Sequence, residues 1–187
     1  MSEGFILPHL KLFGCIWLDH MICQTQYITN RLHMNASSTD RIEKQVLVRA
    51  SHENVWHTLT DSEAFGNWFG AKLDGEFATG ARLRGPLTIE GVEHLTLDIT
   101  IEKIEPKHLF SWRWHPGAMD PDFNYSTKPS PLVVFELEDA VDGTMLTVVE
   151  TGFDKKPFER RMEVFDRNTN GWEAQITRIS EYVSPTL

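Results

Sequence analysis

The sequence predicts an α+β domain, one antiparallel sheet covered on one side by a helix near the C-terminus. Segments of alternating apolar and polar residues, joined by turn signals, run from Arg41 to Thr151. Two short helical segments interrupt this pattern directly after the first strand. After Gly152 the apolar spacing changes from two residues to the helical period of about 3.6. A run of hairpin-linked strands followed by a helix makes an α+β layer, not a βαβ array.

Each element has its own warrant. Arg41–Arg49 places Ile42, Val46 and Val48 on one parity and mostly charged residues on the other, as a half-buried strand does. Ser51 is an N-cap with Glu53 in the first turn of a short helix whose Val55 and Leu59 are four apart. Asp61 caps a second helix bearing Ala64, Phe65, Trp68 and Phe69, with breaks expected at Gly66 and Gly70. Gly75–Leu87 holds one or two strands, punctuated by Gly80 and Gly85-Pro86. Glu90-Gly91 turns into Val92–Ile104, where Leu95, Leu97, Ile99 and Ile101 share a face. Pro106-Lys107 turns into Leu109–His115, where Phe110, Trp112 and Trp114 do the same. Residues 116–131 carry four of the nine prolines and read as a loop. Leu132–Glu138 is the next strand, and Asp142-Gly143 is a hairpin signal into Thr144–Thr151. Phe158, Met162 and Phe165 fit a short helix. Trp172, Ile176, Ile179 and Val183 then line one face of a longer one, capped by Asn168 or Asn170 and stopped by Pro185.

The 187 residues suffice for one domain with an extension, able to bury about 70% of the surface of its unfolded chain. With 18 basic and 27 acidic residues the net charge is −9, and the basic residues are scattered. Nucleic acid is therefore not an expected partner, since phosphate binding needs clustered Lys and Arg. Residues 1–40 read as an N-terminal extension and 41–184 as the domain. The first 33 residues are apolar, but Lys11 and Asp19 interrupt them, so neither a signal peptide nor a membrane span is expected. Met34 precedes a short polar stretch and is an alternative start. Both cysteines, Cys15 and Cys23, lie in this extension, leaving the domain without a disulfide or a thiol nucleophile and pointing to a reducing, cytoplasmic setting.

Several motifs fail on their own chemistry. Gly75-x4-Gly80 is followed by Ala81-Arg82 where a P-loop requires Lys-Ser/Thr at a helix start. His52 and His57 sit five apart, about 140° around a helix, and cannot grip one zinc ion. No GxGxxG or GxSxG occurs, so no dinucleotide cofactor and no nucleophile elbow is implied. Neither a metal nor an organic cofactor is expected.

What remains is an aromatic interior with few polar groups. Phe110, Trp112 and Trp114 on one strand face, with Trp68 and Trp172, are either core filling or the lining of an apolar pocket. Glu150 shares parity with Leu146 and Val148, so an inward carboxylate is expected unless the register changes near Gly152. Arg82, Arg84 and Arg113 are its candidate partners, each with a solvent-exposed alternative. His115 ends its strand beside the proline-rich loop. That loop leaves one aromatic strand and returns to another, which places Phe123 or Tyr125 to close over a pocket.

The order and spacing of several short motifs carry a resemblance. They are Ala50-Ser-His-Glu-Asn-Val-Trp56 after the alternating first strand, Leu59-Thr-Asp61, Trp68-Phe69-Gly70 and Phe110-Ser-Trp-Arg-Trp114. Thr147-Val-Val-Glu-Thr-Gly-Phe153 and Asn170-Gly-Trp-Glu-Ala174 follow. Over about residues 41–184 the chain resembles the START-like (SRPBCC, helix-grip) superfamily, in the branch named after the C-terminal domain of the activator of Hsp90 ATPase. The resemblance implies a helix-grip fold, a curved antiparallel sheet around a C-terminal helix with a hydrophobic cavity between them. Members include lipid carriers, hormone receptors, polyketide cyclases and co-chaperone domains, so the fold by itself does not select a function.

Three functions follow. The first is a module binding a small apolar or amphipathic ligand, lined by Trp68, Trp112, Trp114, Phe123, Phe135, Trp172 and Ile176, with Glu150 as polar handle. The second is a cyclase or hydrolase with Glu150 as catalytic base, its pKa raised by desolvation among aromatics. The third is an interaction protein with a chaperone or other partner. Because the extension lies outside the patterned region, a chain begun at Met34 is expected to unfold at the same temperature as the full chain, within about 2 °C by calorimetry; a larger drop would make residues 1–33 part of the fold.

Overall fold

In the computed structural model, residues 40–115, 130–155 and 158–184 are described, with the backbone alone for 158–160. The alternating segment after Asp40 is β1 (Arg41–Val48), with Ile42 and Val48 buried and Arg41 and Glu43 exposed. Ser51 caps α1 (His52–Thr60), its hydroxyl accepting from the Asn54 N–H at 3.3 Å, and Val55 and Leu59 are fully buried. Asp61 caps α2 (Ser62–Phe69) by accepting from the Ala64 N–H at 2.8 Å. The helix runs through Gly66 without a break. It stops at Gly70, whose φ of 86° is the left-handed conformation that ends helices.

Five further strands follow: β2 (Arg82–Pro86), β3 (Thr96–Glu105), β4 (Leu109–Trp114), β5 (Leu132–Ala140) and β6 (Gly143–Thr151). The expected pattern over Gly75–Leu87 resolves into the single short strand β2, with an isolated bridge joining Ala71 to Leu87. β3 begins at Thr96, four residues later than its alternation suggests. Residues 89–95 make turns instead, in which Val92 and Leu95 N–H groups bond Ile89 and Val92 carbonyls. The sheet is antiparallel throughout and its strand order among the described residues is β1-β6-β5-β4-β3-β2. A bulge between Ile101 and Lys103 shifts the inward parity of β3, so that Ile104 takes up the inner face.

The chain after Gly152 forms a short 3-10 turn (Phe153–Lys155) and then α3 (Phe158–Val183). The expected pair of helices, with a cap at Asn168 or Asn170, is a single helix of 26 residues, about 39 Å long. Asn168 does not cap because its side chain is taken up by a buried acceptor inside the domain. Gly171 costs the helix about 1 kcal/mol in propensity, too little to break it against the packing of Val164, Trp172, Ile176 and Ile179. These residues lie in the same core as the inner faces of β1 and β3–β6. The sheet curves around α3, and α1 and α2 complete the layer.

Small contacts fix the frame. His52 Nδ1 meets Asp139 Oδ1 at 2.7 Å and its Nε2 meets the Lys107 carbonyl, which joins α1 to the β3–β4 turn and the end of β5. Gly85 lies where a Cβ would overlap the Lys72 carbonyl, and the next residue's carbonyl accepts from the Lys72 N–H at 3.0 Å. Gly85→Ala is therefore expected to lower unfolding free energy by about 1–3 kcal/mol in urea denaturation. Wild-type stability would mean that residues 72–73 move aside at no cost.

Candidate functional site

Glu150 is the one charged residue that the described core buries completely. β6 places it on the inner face in register with Ile42 of β1 and Val133 of β5. The parity argument from Leu146 and Val148 therefore holds to the end of the strand, with no register change before Gly152. Among the described residues, the side chains of Trp114, Trp172 and Asn168 donate to the carboxylate. Trp114 Nε1 reaches Oε1 at 2.8 Å, Trp172 Nε1 reaches Oε2 at 2.7 Å, and Asn168 Nδ2 lies 3.1 and 3.0 Å from the two oxygens. Indole and amide N–H groups only donate, so both oxygens act as acceptors here. Such contacts are what make a buried acid tolerable, since an unpaired one would carry its full desolvation cost.

The arginines proposed as partners do not reach it. Arg82 and Arg84 lie on the outer face and share Asp98, at 2.6 and 3.1 Å. The hydrogen bond and charge of Asp98 hold the Arg82 guanidinium above its usual pKa. Arg113 also points outward, to Glu102 at 2.9 Å and to the Ser130 carbonyl at 3.2 Å. Inward parity belongs to even positions on β4, and Arg113 occupies an odd one. Asn168, expected as a helix cap, is instead a partner of Glu150. Its signal was present: it lies four residues before Trp172, so the apolar face of α3 carries it inward, and a buried amide needs a partner.

Of the residues expected to line a pocket, five are aromatic side chains that meet one another. Trp68 of α2, Trp112 and Trp114 of β4, Phe135 of β5 and Trp172 of α3 form a continuous set of rings. Trp112 lies 5.0 Å from Phe135 and 6.3 Å from Trp172, and Phe135 lies 5.8 Å from Trp172 and 6.1 Å from Trp68. Trp114 contacts Trp172 at 6.3 Å and Phe69 at 6.0 Å. Most pairs are tilted or edge-to-face, the arrangement the ring quadrupole favours. Ile176, also buried, follows Trp172 by one turn of α3. Trp114 is half-buried, whereas Trp68, Trp112, Phe135 and Trp172 are at most 2% exposed. Phe123 and Tyr125, expected over the pocket, lie outside the described residues. His115 is half-buried directly after β4.

The indole donors differ in one respect. Trp68 Nε1 donates to the Thr58 carbonyl at 3.0 Å, and Trp114 and Trp172 donate to Glu150. Trp112 Nε1 is buried with no acceptor among the described residues. Among those residues no cluster of His, Cys, Asp or Glu could hold a metal ion, and no helix is long and apolar enough to cross a membrane.

Residues 49–184 match the family model described as Activator of Hsp90 ATPase homolog 1-like protein. Among solved structures, the chain is similar to protein MLL2253 from Mesorhizobium loti, at 22% identity and a TM-score of 0.60, over 76% of this chain and 96% of that one. It is also similar to DynU16 of the dynemicin biosynthetic locus, at 24% identity and a TM-score of 0.59, over 77% of this chain but only 47% of DynU16. The Aha1 dimer from Colwellia psychrerythraea matches at 15% identity and a TM-score of 0.56, over 76% and 95% of the two chains. No curated protein matches the sequence significantly.

Glu150→Gln sets an amide donor against the three donors that now meet a carboxylate. It is expected to cost about 1–3 kcal/mol in urea denaturation and to weaken the near-ultraviolet dichroism of the tryptophans. An unchanged midpoint and spectrum would show that Glu150 organises nothing.

Proposed function

The chain belongs to the Activator of Hsp90 ATPase homolog 1-like family, and from that premise we propose that it binds a small apolar or amphipathic molecule between the inner face of the sheet and α3. The observation that carries this reading is the ring wall of Trp68, Trp112, Trp114, Phe135 and Trp172. Five large rings from four elements converge, and the half-buried Trp114 gives the wall an edge that an incoming molecule can touch. Ligand sites are commonly apolar, aromatic and sparing with polar groups. Glu150 acts in this reading as a positioning residue. It pins the indoles of Trp114 and Trp172, so that one ring on the sheet and one on the helix keep a fixed separation.

The same contacts weigh against Glu150 as a general base. A base must meet its proton donor on the substrate, and both oxygens here already accept from three side chains of the protein. The chaperone-partner reading rests on family membership alone.

Titration with 1-anilinonaphthalene-8-sulfonate tests the proposal. The folded protein is expected to bind it saturably, with tryptophan emission quenched in step with the rise in probe emission. Trp114→Ala is expected to weaken binding about tenfold and Trp114→Phe less than threefold, because the ring supplies the contact. Unsaturable binding by the folded wild type, or equal affinity in all three proteins, would overturn the reading.

A further inference from the structure

The one unspent indole in the ring wall carries more than its apolar surface. Of the four tryptophans there, three have their N–H groups bonded within the chain: Trp68 to Thr58, Trp114 and Trp172 to Glu150. Trp112 is the most deeply placed of them, with no exposed surface, yet its Nε1 has no acceptor among the described residues. Its ring neighbours include Phe110 at 5.4 Å and Phe135 at 5.0 Å, neither of which offers an acceptor side chain. A buried N–H without an acceptor is costly, and few are left in folded proteins unless something else completes them.

A second open valence lies nearby, of opposite sense. Gln175, three residues after Trp172 on α3, donates its amide N–H to the Phe69 carbonyl at 3.2 Å, while its Oε1 is buried with no donor among the described residues. Phe65 stacks on Phe69 at 5.2 Å and meets Trp112 edge-on at 5.3 Å, so Gln175 is linked to the cluster around Trp112 through Phe69 and Phe65.

We propose that Trp112 Nε1 is the hydrogen-bond donor of the ligand site, and that the ligand is an oxygenated aromatic or alicyclic molecule presenting a carbonyl or ether oxygen to it, rather than a plain hydrocarbon chain. This rests on the binding function proposed above and narrows its ligand class. Selection works through the asymmetry of polar burial: a ligand that lacks the oxygen leaves the indole unpaired, whereas one that has it satisfies the group.

Two probes of nearly equal shape separate the outcomes, 2-acetonaphthone with a carbonyl oxygen and 2-ethylnaphthalene without one. The wild-type protein is expected to bind 2-acetonaphthone about tenfold more tightly, and Trp112→Phe to abolish that preference while still binding 2-ethylnaphthalene. In the unmodified protein, the indole proton of Trp112 in a nitrogen-15 correlation spectrum is expected to move downfield with 2-acetonaphthone by more than with 2-ethylnaphthalene. That measurement needs no variant to fold. Equal affinities, a preference kept in Trp112→Phe, or an indole resonance that responds alike to both probes would overturn the assignment and leave the binding function standing. Binding of neither probe would overturn both.

Discussion

The helix is held to the sheet by a buried carboxylate that the rest of the interior is arranged to satisfy. Glu150 sits on the inner face of β6, flanked by β1 and β5, and among the described residues it accepts from side chains of β4 and α3. Asn168 and Trp172 are four apart on α3, so one helix face delivers both. Trp114 belongs to β4, two strands and about 10 Å away, and a side chain as long as tryptophan is needed to cross that distance. The hydrophobic effect brings α3 to the sheet but is indifferent to small slides along it. Hydrogen bonds from Asn168 and Trp172 to one carboxylate are directional, and they fix the position at which the helix docks.

That fixed position gives the aromatic wall its geometry. Trp112, Val133 and Glu150 are paired in one row across β4, β5 and β6. Trp112 therefore stands in the carboxylate's own row and Phe135 in the next inward one, and Trp172 packs against both from α3. The polar hub and the apolar wall share Trp114 and Trp172, so a change in one is felt in the other. Among the described residues the indole N–H groups of Trp114 and Trp172 are bonded to Glu150 and that of Trp68 to the Thr58 carbonyl, whereas that of Trp112 has no acceptor. A site that reads an oxygen atom in an otherwise apolar ligand needs a donor of this kind.

The outer face of the sheet follows a different logic. Arg82 and Arg84 share Asp98, and Arg113 meets Glu102, in half-exposed pairs whose contribution to stability is small. Each of these arginines nonetheless has a carboxylate within ion-pair distance. Among the described residues the inner face, by contrast, buries one carboxylate, Glu150, and meets it with donors from Trp114, Asn168 and Trp172, as a charge removed from water requires.

The sequence by itself determined what depends on local periodicity and on neighbours close in the chain. Alternation in Arg41–Val48 and Leu109–Trp114, caps at Ser51 and Asp61 and the Asp142-Gly143 turn all act over a few residues, so the elements and the inward parity of Glu150 were legible. The convergence of Trp68, Trp112, Trp114, Phe135 and Trp172 was legible for the same reason, since each lies on the apolar side of its own element. Tertiary structure decided everything that needed a partner far away. Arg82, Arg84 and Arg113 look like fitting counter-charges to a buried acid until the sheet puts them on its other face. Asn168 reads as a cap by local rules, which know nothing of a carboxylate 18 residues earlier that competes for its amide. The open N–H of Trp112 is the extreme case. Whether a buried donor has an acceptor depends on every element packed around it, and no window of sequence contains them all.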